Sequence, residues 1–151
     1  MDKIMTFWQD FLEANNRDPN TKYLDVFHFE LTEKLANELL ELVLKGIKKA
    51  TASSLHAYEA NGSSLPKVGD LNVVTDWEGN PRCVIETTAV TILPYKEITF
   101  DICKREGEDD TLESWRKGHE RFFTEDGKEL GYQFNENMPV VFEDFKVVFQ
   151  K

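Results

Sequence analysis

The chemistry-bearing residues of this chain crowd into one stretch, Gly46-Ile47-Lys48-Lys49-Ala50-Thr51-Ala52-Ser53, where two lysines and two hydroxyls follow a helix-stopping glycine. A hydroxyl becomes a useful nucleophile when a neighbouring base removes its proton. A lysine drawn out of water shifts readily toward its neutral, basic form. Lys48 is thus a candidate base and Thr51, three positions on, a candidate nucleophile. The ordinary alternative stays open at this level. Lys48 then is a solvated cation near a helix end, and Thr51 caps the segment Ser53 to Ala60.

Other residues extend the picture. Lys45, Lys48, Lys49, Lys67 and Arg82 are the material for one local basic patch, enough for one or a few phosphates but not for a long duplex. Tyr58, Trp77, Tyr95 and Trp115 are candidate stacking rings for a base, with ordinary core as the alternative. His119 shares a helical face with Trp115 and Phe122 and is expected to point inward. It is then either a hydrogen-bonded core histidine or a cleft residue. The acidic run Glu106 to Asp110 lacks an EF-hand's alternating ligands and suits a helix N-terminus, so no metal is assigned to it. Cys83 and Cys103 have no metal-ligand spacing and read as reduced core thiols.

The elements that must position these groups are legible from periodicity. Met5, Trp8, Phe11 and Leu12 recur at helical spacing until Asn15 to Asn20. A second helix starts at a Thr32 N-cap, carries the stripe Leu35, Leu39, Leu40, Val43 and Leu44, and stops at Lys45-Gly46. Leu71 to Asp76 and Arg82 to Leu93 read as a hairpin around Glu78-Gly79-Asn80-Pro81. Pro139 to Phe149 adds further β structure around the polar step Glu143-Asp144. Thr111 caps a helix bearing Leu112, Trp115, His119 and Phe122. This order predicts an α+β fold, a small and partly open, mostly antiparallel β-barrel flanked by helices.

Composition bounds the rest. With 151 residues, 40% of them apolar, one domain spanning 1–151 around one core is expected. Acidic residues outnumber basic ones 28 to 18, a field that repels duplex DNA. The opening stretch lacks a cleavable apolar run and no segment approaches a membrane span, so a soluble, cytoplasmic protein is expected.

The GxKxxT pattern of Gly46, Lys48 and Thr51 is continued by Gly69-Asp70, by Cys83 to Thr88 and by Glu106-Gly107-Glu108-Asp109-Asp110 leading into Trp115-Arg116 and His119 to Phe123. In this ordered set the chain strongly resembles the ASCH family, in its larger form. The resemblance covers nearly the whole chain and implies a PUA-like barrel whose cleft holds a nucleoside or a short single-stranded RNA. One branch of that family looks like amidohydrolases that remove an acyl group from a modified cytidine. Carried over, their lysine, threonine and hairpin-strand glutamate fall on Lys48, Thr51 and Glu86. Glu86 would pass a proton to the leaving amine, unless it is merely an exposed strand residue. Gly46, Lys49, Ser53, Arg82, Trp115 and His119 are the expected ligand-binding residues around the trio, and no cofactor is implied. The block from Trp115 to Phe123 is missing from the shortest, amidohydrolase-like relatives. A non-catalytic RNA-binding module and a ribonuclease using the same cleft are the other functions the resemblance allows.

Overall fold

The computed structural model describes residues 2–151. Five strands form one curled sheet in the order β1-β3-β4-β5-β2: β1 (Asp25–Phe27), β2 (Ala50–Ser54), β3 (Leu71–Thr75), β4 (Pro81–Pro94) and β5 (Pro139–Gln150). Neighbours are antiparallel except β1, which runs parallel to β3. The β4–β5 ladder shifts register between Val84 and Ile85 and between Thr87 and Ala89, and such irregularities sharpen the local bend of a sheet. The result is the half-open barrel expected, with β1 and β2 as its free edges. The closing segment is a single strand, because β5 runs straight through Glu143-Asp144 without a turn.

The helices start where their caps place them. In α1 (Lys3–Ala14) Asp2 accepts from the Met5 amide, in α2 (Glu33–Leu44) Thr32 accepts from Leu35, and in α5 (Leu112–Leu130) Thr111 accepts from Ser114. Gly46, at φ +76°, turns the chain out of α2. The short α3 (Leu55–Asn61) is capped by Ser54 and not by Thr51, which sits inside β2. A further short helix, α4 (Phe100–Cys103), precedes the acidic run.

Strand alternation sorts the core by face. Phe7, Trp8, Phe11 and Leu12 of α1 pack on Leu71, Val73 and Val84. Leu40 and Val43 of α2 pack with Phe29 on Val74, Cys83, Ile85 and Phe145. Trp115 and Phe123 of α5 cover Ala50, Ala52, Val140 and Phe142 around the β2 edge. Cys83 and Cys103 are buried, unbridged and in different clusters, and burial pushes their thiols up to about 12 and about 11. Neither is a thiolate nucleophile near neutral pH. Among the described residues no helix is long and apolar enough to cross a membrane.

Candidate functional site

Lys48 leaves the α2 turn and immediately enters the interior. It is 2% exposed, among the largest fully buried side chains. A buried ammonium must be paired to be tolerated. Its Nζ donates to the Ala50 carbonyl at 2.7 Å and to Glu108 Oε2 at 2.5 Å, lies 4.0 Å from Glu106, and stands 5.3 Å from the centre of the Phe29 ring. The loop that brings these carboxylates is fixed by backbone as well as by charge. The Lys49 amide donates to the Arg105 carbonyl at 3.0 Å. Gly107, at φ +70°, lies so close to Ile47 that a Cβ there would collide with the Ile47 carbonyl.

Behind this pair lies a second layer. Glu106 is 1% exposed and accepts from Trp115 Nε1 at 2.6 Å and from His119 Nε2 at 2.8 Å. The other ring nitrogen of His119 faces the Trp115 carbonyl at 2.9 Å. With an acceptor at each nitrogen, only the imidazolium satisfies both contacts. Burial opposes that charge, but the Glu106 carboxylate outweighs it and holds the His119 pKa above its ordinary value. Burial also penalises an ionised Glu106, yet His119, Lys48 and the two hydrogen bonds together bring its pKa down to about 2. Glu108 behaves in the opposite way. Burial, with the charge of Glu106 behind it, raises its pKa despite the Lys48 contact. Stacking of the Trp115 and His119 rings, 4.0 Å between centroids and 19° apart, locks the layer.

These groups form the floor of a cavity of about 350 Å³ shared with Thr51 and Ala52 of β2. Its walls are Phe29, Leu35, Leu39, Leu42 and Phe122. Glu30, Glu38, Asp109 and Arg121 stand at the sides. Arg121 and Glu30 are paired across it at 2.6 Å, with Glu30 held at φ +62°. Glu106, Glu108 and His119 bring one ligand atom each within 4.8 Å of one another. The Lys48 ammonium already pairs with both of those carboxylates and takes the place a cation would fill.

Of the residues expected from sequence, Lys48, Thr51, Trp115 and His119 converge here, although Trp115 acts as a buried donor to Glu106 and not as a stacking platform. Glu86 does not join them. On β4 it lies one position before Thr87, so it projects from the opposite face, where it meets Arg17 at 3.1 Å and Lys146 at 3.8 Å. Its expected place beside Lys48 is taken by Glu108, which sequence reasoning had treated as part of a helix-start acidic run. Gly46 and Lys49 serve the backbone of the turn, Lys49 being exposed. Arg82 stands 4.0 Å from Glu41. Lys48 is withdrawn from the expected basic patch, since it is buried among carboxylates, and the cavity's rim is mostly acidic. Trp77 packs on His28, and Tyr95 is core. Ser53 and Tyr58 line a second cavity, beside Thr51.

An ASCH domain family model matches residues 25–149. The crystal structure of an ASCH domain from Lactobacillus crispatus JV V101 superimposes with a TM-score of 0.88 at 36% identity, covering 99% of this chain and 96% of that one. A crystal structure of a protein from Enterococcus faecalis V583 gives a TM-score of 0.88 at 34% identity, over 96% and 87% of the two chains. No curated protein matches the sequence.

Proposed function

The chain belongs to the ASCH domain family, and from that premise we propose that it is a hydrolase of an acylated nucleoside amide whose working residues are Lys48, Thr51 and Glu108. The observation that carries this reading is the 2.5 Å contact between Lys48 Nζ and Glu108 Oε2 on the floor of a cavity that Thr51 also lines. The ammonium and the carboxylate in this contact can exchange one proton, and the reactive arrangement is the one in which the carboxyl carries it, the direction in which burial acts on Glu108. The pair then presents a base and an acid side by side.

In that arrangement the Lys48 amine takes the proton of the Thr51 hydroxyl as its oxygen attacks the amide carbon. The carbon–nitrogen bond breaks, and the leaving amine receives the proton of Glu108. The acyl group now rests on Thr51, with Lys48 as ammonium and Glu108 as carboxylate. Water attacks the ester and yields its proton to Glu108, while Lys48 returns a proton to Thr51. Both groups end as they began. The Glu106–His119–Trp115 layer touches no reacting atom and acts by holding Lys48 and Glu108 in register.

Turnover of a panel of nucleosides acylated on the exocyclic amine tests the reading. Wild type is expected to release the acid at a rate that falls at least about a hundredfold in Lys48→Met and in Glu108→Gln. Equal product from all three proteins, or none from wild type, sinks it. The RNA-binding and ribonuclease readings fit this cavity less well, because Lys48 and His119 on its floor are paired with carboxylates and the one cationic side chain at its sides, Arg121, is paired with Glu30.

A further inference from the structure

A cavity of about 540 Å³ occupies the opening of the half-barrel, between the free edges β1 and β2, and Thr51 lines it as well as the first cavity. Asp25 and Phe27 come from β1, Ser53 from β2, Asn72 from β3, Glu143 from β5 and Tyr58 from α3. No Lys, Arg or His lines it. Two of its polar groups are deeply buried and incompletely used. Asn72 is 6% exposed and its side-chain amide has no hydrogen-bond partner among the described residues. Glu143, 9% exposed, accepts one bond at Oε2, from Thr87 at 2.6 Å, and its Oε1 accepts none among the described residues. Among the described residues no side-chain nitrogen or oxygen sealed from solvent lacks a partner, so these unused atoms are ones the cavity reaches. Groups this buried are normally paired, and in the free protein only water in the cavity can do it.

We propose that this cavity binds the ribose of a free nucleoside whose acylated base reaches across Thr51 to Lys48 and Glu108. The inference rests on the reading above. A carboxylate is the strongest acceptor for a sugar hydroxyl, and the Asn72 amide both donates and accepts, as a ring bearing adjacent hydroxyls requires. Phe27 and Tyr58 supply the apolar surface that a sugar ring covers. Asp25 and Glu143, in a lining without Lys, Arg or His, disfavour a phosphate. The ligand is therefore a nucleoside and neither a nucleotide nor a residue within RNA.

Calorimetric titration of wild type and Glu143→Gln decides it, with cytidine acylated on its exocyclic amine, the 2′,3′-dideoxy analogue, the 5′-monophosphate and a short RNA as probes. Wild type is expected to bind the ribonucleoside at least about tenfold tighter than each of the others, the weight of one good charge-assisted hydrogen bond. Glu143→Gln is expected to bring the ribose-to-dideoxy ratio below about threefold. Asn72→Ser reads the same ratio should Glu143→Gln fail to fold. Equal wild-type affinity for ribose and dideoxy forms overturns the inference, as does tighter binding of the monophosphate or RNA, or binding of nothing. Lys48-dependent turnover without ribose discrimination removes this inference alone. Ribose discrimination without turnover removes the hydrolase reading and keeps the sugar site.

Discussion

Lys48–Glu108 and Arg17–Glu86 are the same kind of contact placed on opposite faces of one sheet. Each joins a basic side chain to a glutamate distant in sequence, at 2.5 Å and 3.1 Å. Their surroundings differ. Lys48 is 1% exposed at its side chain, whereas Arg17 and Glu86 are 33% and 23% exposed. In water such a pair gains little, since each group is solvated without the other. Out of water neither charge is tolerable alone, and the pair becomes an obligatory unit with perturbed protonation. The pair type therefore says little about function. Burial beside a cavity says much more.

The comparison breaks most visibly in turnover. Lys48→Met and Glu108→Gln are expected to lose 10²–10⁴-fold, while Glu86→Gln stays within about twofold of wild type. A rate measurement on the acylated nucleoside checks this, and a large loss in Glu86→Gln would return that residue to the site. Stability comes next. Lys48→Met strands Glu108 and is expected to cost about 3 kcal/mol in urea unfolding, most of it recovered in the double variant Lys48→Met/Glu108→Gln. Additive losses would contradict the obligatory pair. Gly107→Ala, which needs both a left-handed alanine and room beside Ile47, is expected to cost about 2 kcal/mol and to lower turnover with it.

Smaller effects sharpen the contrast through pH. The His119 pKa is raised in the folded state, so its contribution is complete below about pH 6.5 and drains as pH climbs through the raised value. Glu106 is lowered to about 2, so its contribution is present above about pH 4.3 and is lost as pH falls toward 2. Thermal melts across pH are expected to fall off on both sides in wild type. In His119→Gln the alkaline fall disappears and the acid one shrinks. An unchanged alkaline limb would mean that His119 is neutral. Smallest of all, Arg17→Met is expected to shift stability by less than about 1 kcal/mol.

Much of the scaffold was readable because its signals are local. Thr32 and Thr111 cap the helices they announce, and the stripe Leu112, Trp115, His119 does turn inward. Two strands carry weaker signals. β1 is three residues long, and Ala50-Thr51-Ala52-Ser53-Ser54, though it alternates, has no large apolar or β-branched residue besides Thr51. Its strand character comes from pairing with β5. The residue missed at the cavity floor was Glu108. Nothing within the acidic run distinguishes a carboxylate that meets a lysine sixty positions earlier from one that favours a helix start. Glu86 looked better placed because its strand was evident, but which face it occupies depends on a one-residue register.

The pairing of β2 with β5 has a consequence for how the molecule comes into being. Thr51 is held opposite Glu143, and Lys48 awaits Glu106 and Glu108, so nothing in the first hundred residues can complete the site. During synthesis the α1–β3–β4 portion has partners available early, whereas the lysine loop stays hydrated until the last strand emerges and the chain's two distant parts zip together. The floor of the first cavity is therefore among the last features to be assembled and among the first to be exposed when the final strand frays.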